Sequence, residues 1–108
     1  MEQGYKVKIT EQAKEQIREI VYYITVNLQT PEAAVRTNKD LQKAISSLSY
    51  FPKRAALSEN EPWRSNGVRR KIVNKYLIYF SVDDEMREVY ITAVVYTRRN
   101  QEKVFEKL

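Results

Sequence analysis

The stretch GVRRKIVNKYLIYFSVDDEMREVYITAVVYTRRN, residues 67–100, decides the fold. Apolar and polar residues alternate in three runs, 68–73, 76–82 and 88–96, and such alternation is typical of half-buried β-strands. Asn74-Lys75 separates the first two runs, and residues 83–87 separate the last two. Because connections this short join only antiparallel neighbours, the stretch predicts an antiparallel meander of three strands.

Upstream of the meander, apolar residues follow helical spacing in two segments. The first stripe comprises Ala13, Ile17, Ile20, Val21, Ile24 and Leu28. The second comprises Ala34, Leu41, Ala44, Ile45 and Leu48. Steps of three and four predict two amphipathic helices, and the short break at Thr30-Pro31 predicts a helical hairpin. Residues 5–9 alternate and predict a further strand before the helices.

These elements predict an α+β fold of order β-α-α-β-β-β within a single domain spanning residues 1–108. We expect the N-terminal strand and the helical hairpin to pack on one face of a small antiparallel sheet. Residues 100–108 are expected to form a short helix or a flexible tail. Lone Trp63, in a polar loop at 53–66, is expected to cover the edge of the core.

Simple period-two alternation assigns the strand residues to two faces. It places Ile78, Phe80, Ile91 and Ala93 toward the helices. It places Leu77, Tyr79, Thr92, Val94, Tyr96 and Arg98 on the other face, which we expect to be open. Arg70 alternates with Arg69 and Lys71, so some cations are exposed whichever face is buried.

Composition limits the classes of function. The chain has 108 residues and a net charge of +5, with no cysteine and no histidine. A disulfide framework is therefore excluded, and no apolar run is long enough for a membrane span. We expect a cytoplasmic protein. Residues 53–108 carry twelve Lys or Arg against eight Asp or Glu, which suggests an acidic partner, either nucleic acid or protein.

Three segments together resemble the RelE/ParE superfamily of bacterial type II toxins, and the ParE branch in particular. They are IVYYITVNLQTPEAAVRTNKDLQKAISSLSYFPKR (20–54), GVRRKIVNKYLIYFSVDDE (67–85) and VYITAVVYTRRN (89–100). The resemblance implies a toxin that a cognate antitoxin protein neutralises. It implies one of two activities: RelE-like members cut messenger RNA on the ribosome, and ParE-like members poison DNA gyrase. No cofactor and no metal site are expected.

RNA cleavage without a metal requires an activated nucleophile, cations for the phosphate and a proton donor. The resemblance assigns these roles to Arg70, Arg98 and Tyr96 if the chain is a ribonuclease. However, Leu77 stands where RelE-like enzymes carry a further arginine. An apolar open face suits protein binding better than phosphate chemistry. The predicted partner-binding residues are Arg64, Arg69, Lys71, Leu77, Tyr79, Val94 and Arg99.

Three hypotheses follow. The first is a ParE-like toxin that binds a protein target, most simply gyrase. The second is a ribosome-dependent endoribonuclease. The third is a non-toxic module that binds an antitoxin-like peptide.

Overall fold

The computed structural model describes residues 4–97. Its strands are β1 (Lys6–Ile9), β2 (Arg69–Val73), β3 (Tyr76–Asp83) and β4 (Glu88–Tyr96). Its α-helices are α1 (Glu11–Tyr22) and α2 (Pro31–Ser47). A π-helical turn, Tyr23–Asn27, follows α1, and a 3₁₀ turn, Pro52–Arg54, follows α2. The element order β-α-α-β-β-β agrees with the sequence prediction.

Local chemistry sets the helix boundaries. Thr10 caps α1, since its hydroxyl accepts a 3.3 Å hydrogen bond from the N–H of Ala13. Pro31 begins α2 at the position where a missing N–H costs nothing. The π-helical turn changes the helical period after Tyr22, and Leu28, which the sequence predicts in the apolar stripe, is exposed.

The sheet has four strands in the order β1-β4-β3-β2. The meander of β2, β3 and β4 is antiparallel as predicted. The α+β class is confirmed, but β1 joins the sheet as an edge strand and pairs with β4 in the parallel direction, so the sheet is mixed and the N-terminal strand does not lie on its face as expected. The physical reason is that a long connection leaves strand direction free, whereas a tight turn does not.

The helices and one face of the sheet share the main core. Its buried members are Ala13, Ile17, Leu41, Ile45, Leu48, Ile78, Phe80, Val89, Ile91 and Val94. Tyr5, Val7 and Ile9 pack partly buried against it, as the alternation of the first strand predicts. Residues of both predicted apolar stripes therefore pack in this core, although Leu28 is exposed.

A β-bulge at Thr92 changes the faces of β4. Tyr79 pairs with Ala93 but Phe80 pairs with Ile91, which leaves Thr92 as an extra residue. A one-residue shift moves every following side chain to the opposite face. Ala93 therefore leaves the helix side, whereas Val94 and Tyr96 turn toward it. The sequence assignment of these three residues is wrong, because simple alternation contains no bulge.

The second face of the sheet is not open. Residues 55–68, here called the covering loop, bring Val68 and Trp63 over Leu77, Tyr79 and Ala93 to form a second core. Leu77 is 3% exposed and Tyr79 is 1% exposed. The expectation of an open apolar face is therefore wrong, because the chain covers this surface itself. Trp63 lies against the core, as predicted.

Candidate interaction site

An open groove runs along the outer edge of β2. It has a volume of about 460 Å³ and lies between β2 and the segment that follows α2. Its lining includes three cationic residues, Arg54, Arg70 and Lys71, and, among its exposed apolar residues, Phe51 and Ile72. We call these five residues the cationic groove. Cations beside apolar side chains favour an acidic partner that also brings apolar groups.

Phe51 lies on the rim of the groove in an unusual conformation. Its backbone is left-handed, with φ 53° and ψ 50°, and the residue is 61% exposed. A bulky residue rarely adopts this region, and such outliers concentrate at functional sites. The guanidinium carbon of Arg54 lies 4.8 Å from the centre of the ring. This stacking presents an apolar ring and a cation side by side.

Arg70 connects the groove to the second core. Its Nη2 lies 2.9 Å from Oε2 of Glu59, and its side chain is 25% exposed. Its Nε is buried without a hydrogen-bond partner in the part of the chain that the structure describes. Arg70 pairs with Tyr79 across the strands. Burial raises the pKa of the Tyr79 phenol, although Arg70 acts in the opposite direction, so Tyr79 is neutral near pH 7.

Arg69 and Arg64 hold the chain's own backbone. The Nη1 of Arg69 donates to the carbonyls of Lys53, at 3.2 Å, and Ala55, at 2.6 Å. The Nη1 of Arg64 donates to the carbonyl of Ser58 at 3.3 Å. The structure therefore gives these two predicted partner contacts a role in fixing the covering loop and the turn before it.

Two of the three predicted ribonuclease residues, Arg70 and Tyr96, do not converge. Arg70 shares a face with Tyr79. Tyr96 pairs with Tyr76 on the helix-facing side, and their ring centres lie 5.7 Å apart. Arg70 and Tyr96 thus lie on opposite faces of the sheet. The third predicted member, Arg98, lies outside the described residues, as does Arg99.

The structure buries some of the predicted partner-binding residues and leaves others at the surface. Leu77, Tyr79 and Val94 are each at most 3% exposed, so they offer no surface to a partner in this conformation. The covering loop and the bulge explain this error. Lys71 does line the groove. Sequence reasoning missed Phe51, Arg54 and Ile72. The only signal was the sequence Phe51-Pro52-Lys53-Arg54, which indicates a helix end but not an exposed ring.

Ionised side chains also form pairs away from the groove, beginning at the β1 edge of the sheet. Lys8 Nζ lies 2.9 Å from Glu88 Oε2, and the Tyr90 hydroxyl donates to Oε1 of the same carboxylate. The hydrogen bonds from Tyr90 and Lys8 hold the pKa of Glu88 below its usual value. Hydrogen bonds from Lys53 and Tyr5 lower the pKa of Asp84 in the same way. These contacts attach β1 to β4 and the 3₁₀ turn to the β3–β4 connection.

Residues 4–97 provide no evidence for a metal site or a membrane-spanning helix. They contain no group of three His, Cys, Asp or Glu side chains placed to hold a metal ion. Neither α1 nor α2 has the length and apolar character needed to cross a bilayer.

The sequence matches the model of a known protein family. Residues 7–101 match the family described as ParE toxin of type II toxin-antitoxin system, parDE. The chain belongs to the ParE toxin family. This confirms the resemblance inferred from the three sequence segments. No curated protein matches the sequence significantly.

Solved structures share the fold of this ParE-family chain. A chain of the chromosomal ParDE system from P. aeruginosa superposes with a TM-score of 0.71 at 22% identity, covering 87% of this chain and 97% of that one. A RelBE toxin–antitoxin complex from Mycobacterium tuberculosis gives 0.62 at 19% identity, with coverages of 89% and 94%. A mutant of the E. coli toxin RelE in the free state gives 0.64 at 15% identity, with coverages of 96% and 93%. At these identities the similarity shows the fold alone.

Proposed function

We propose that this chain is the toxin of a type II toxin–antitoxin module and that it arrests growth by binding DNA gyrase, with a cognate antitoxin as its inhibitor. The family match and the similarity to a ParDE system support the toxin and its antitoxin. Fold alone does not choose between gyrase poisoning and RNA cleavage, so the choice rests on the site.

One structural observation favours a protein target over cleavage of RNA. Arg70 and Tyr96 lie on opposite faces of the sheet, so they cannot act together on one phosphate. Metal-independent cleavage needs the proton donor and the cation within hydrogen-bond reach of the same reacting group. Tyr79, on the same face as Arg70, is buried and its pKa is raised, which makes it a poor base. This arrangement favours binding over catalysis.

The test adds the purified chain to DNA gyrase and relaxed plasmid. We expect supercoiling to be inhibited in proportion to the amount of chain added, with accumulation of cleaved plasmid. Prior saturation of the chain with its antitoxin should restore supercoiling. Unchanged supercoiling and unchanged cleavage at a large excess of chain would reject gyrase as the target.

A parallel measurement addresses the ribonuclease alternative. The chain is added to a translating extract, and messenger RNA is followed by primer extension. We expect intact RNA. If RNA is cut, Arg70→Ala should slow cutting about 10²-fold, the scale for losing one preorganised charge-stabilising group. Arg18→Ala, which changes an exposed arginine on α1, is the matched control. Harmless induction without antitoxin would instead favour a non-toxic binding module.

A further inference from the structure

A second open hollow lies where the residues after α2 meet those that precede β1 and β4. It has a volume of about 200 Å³ and is distinct from the cationic groove, although residues 50–52 border both. Its lining includes three aromatic residues and two cations, Tyr5, Tyr50, Phe51, Lys53 and Arg87, here called the aromatic hollow. Because a cavity of about 150 Å³ accommodates benzene, this hollow has room for one aromatic ring with a substituent.

Hydrogen bonds and close packing hold the walls of the hollow in place. The N–H of Tyr5 donates to the carbonyl of Ser49 at 2.7 Å, and the Ser49 hydroxyl donates to the carbonyl of Tyr5 at 2.8 Å. A Cβ placed on Gly4 would overlap Ser49 Oγ and would lie 3.2 Å from Tyr50 Cε1. Glycine at position 4 therefore lets the backbone approach Ser49 and Tyr50 closely.

Two residues of the aromatic hollow have left-handed backbone conformations. Phe51 and Arg87 both have φ 53°, and in residues 4–97 Gln29 and Asn74 are the other non-glycine residues with positive φ. Arg87 ends the connection between β3 and β4, at a kind of position where glycine is usual. Strained residues of this kind concentrate at functional sites. Their presence on one hollow suggests that the ring of Phe51 and the cation of Arg87 are needed there.

The charges at the hollow favour an anion. Lys53 forms an ion pair with Asp84, and hydrogen bonds from Lys53 and Tyr5 hold the pKa of Asp84 below its usual value, so the carboxylate is charged near pH 7. The guanidinium carbon of Arg87 lies 4.5 Å from the centre of the Tyr5 ring. The carboxylates on either side of Asp84 in the sequence do not line the hollow. Two cations thus line it, and one of them is balanced by Asp84.

We propose that the aromatic hollow binds a small molecule in which one aromatic ring carries a carboxylate or a phosphate. The ring lies against Tyr50 and Phe51, which are 59% and 61% exposed and so have surface to bury. The anion faces Lys53 and Arg87. Free aromatic acids and nucleotides share this chemistry. The proposal does not rest on the proposed function, and its test does not use growth arrest or gyrase.

The test titrates the isotope-labelled full chain with four probes and follows its backbone amides by NMR. The probes are phenyl phosphate, benzoate, benzyl alcohol and benzylamine. We expect the two anions to shift the amides of Tyr50, Lys53 and Arg87. Phenyl phosphate should bind about tenfold more tightly than neutral benzyl alcohol, as expected for a hydrogen bond to a charged group. Benzylamine, a cation of similar shape, should bind most weakly.

Further probes separate the two sources of the ligand. Thymidine monophosphate and a short single strand of thymidines each present a base beside a phosphate. Tighter binding of these probes than of phenyl phosphate assigns the hollow to nucleotides, and a preference for the strand over the mononucleotide assigns it to single-stranded nucleic acid. Tighter binding of phenyl phosphate and benzoate assigns it to free aromatic acids.

Substitutions test the two halves of the site separately. Tyr50→Ala should weaken phenyl phosphate binding about tenfold, within the range for loss of one stacking contact, whereas Tyr50→Phe keeps the ring and should bind as the parent chain does. Lys53→Gln should weaken binding of both anions. Lys39→Gln, which removes the same charge at an exposed site on α2, is the matched control and should not. Thermal unfolding checks that each variant folds.

Several results would overturn the proposal. They are equal binding of phenyl phosphate and benzyl alcohol, and equal effects of Lys53→Gln and Lys39→Gln. Amide shifts confined to Lys71 and Ile72 would place the anion on the cationic groove instead, and this also overturns it. So does the absence of any shift at the highest soluble probe concentration. If Tyr50→Ala does not fold, the two lysine variants decide the outcome.

Discussion

The side-chain oxygen of Gln16 accepts a 2.8 Å hydrogen bond from the backbone N–H of Val94. β1 pairs with β4 only as far as Ile91, so beyond this point no strand lies on that side of β4 in the described part of the chain. α1 lies there instead, and Gln12 donates to the carbonyl of Thr92 at 2.9 Å. Two glutamines thus take the place of a neighbouring strand.

Replacing Gln16 by Leu should destabilise the fold by about 1–3 kcal/mol, because the buried N–H of Val94 loses its acceptor. The measurement is the free energy of unfolding in urea. Arg18→Ala, which removes an exposed ion pair with Glu15 on the same helix, serves as control and should change it by less than about 1 kcal/mol. Equal effects of the two variants would show that the Gln16 hydrogen bond contributes little.

Trp63→Ala should uncover Leu77 and Tyr79. We expect Trp63→Ala to lower the free energy of unfolding by about 2–3 kcal/mol. This is less than the ~3–5 kcal/mol expected for a fully buried Trp, because Trp63 is half-buried. Urea unfolding measures this loss, and Tyr22→Ala, at a ring that is 63% exposed, is the control. A loss below about 1 kcal/mol for Trp63→Ala would mean that the second core does not depend on the covering loop.

The left-handed backbone conformation of Phe51 predicts which of two substitutions at this position is more stable. Phe51→Gly and Phe51→Ala both remove the ring and its contact with Arg54, but only glycine adopts φ 53° without strain. Phe51→Gly should therefore be more stable than Phe51→Ala by about 1 kcal/mol, a difference that thermal unfolding resolves. If alanine proves equal or better, the segment has a different conformation in solution.

Acid should weaken the contacts between β1 and β4. Because hydrogen bonds from Tyr90 and Lys8 hold the folded pKa of Glu88 below its usual value of 4.5, the ionised carboxylate stabilises the fold above that pH. This contribution is lost as the pH falls through the folded pKa. The urea midpoint of unfolding should fall less between about pH 5.5 and about pH 3 in Glu88→Gln than in the parent chain.

Glu19→Gln, at an exposed carboxyl on α1, is the matched control and should keep the parent pH profile. Asp84 and Glu61, whose pKa values are also lowered, retain part of the acid sensitivity in every variant. An identical pH profile for Glu88→Gln and the parent chain would contradict the role given to Glu88.

The element order and both helical stripes could be predicted because they follow from local periodicity. The faces of β4 could not, since the bulge at Thr92 depends on pairing with Tyr79 and on the glutamines of α1. For the same reason Val94 and Tyr96 were assigned to the wrong face. The parallel pairing of β1 with β4 also escapes prediction, because residues distant in sequence decide it.

The candidate site was predicted only in part. Lys71 and Arg70 line the groove, and cations are common on an edge strand, so their presence there could be predicted. Phe51 and Arg54 belong to a turn whose left-handed residue has no sequence signal, and Ile72 reads as an ordinary strand residue. Leu77 and Tyr79 were predicted on a binding surface because alternation does not reveal that a loop returns over them.

The sequence alone determined the family, the order of strands and helices, and the excess of cations in the second half of the chain. These depend on composition and on contacts between near neighbours. The tertiary structure alone decided that both faces of the sheet are covered and that Arg70 and Tyr96 lie apart. Those properties arise from burial and from pairing between distant segments, and the free energy of such contacts is not contained in any single stretch of the chain.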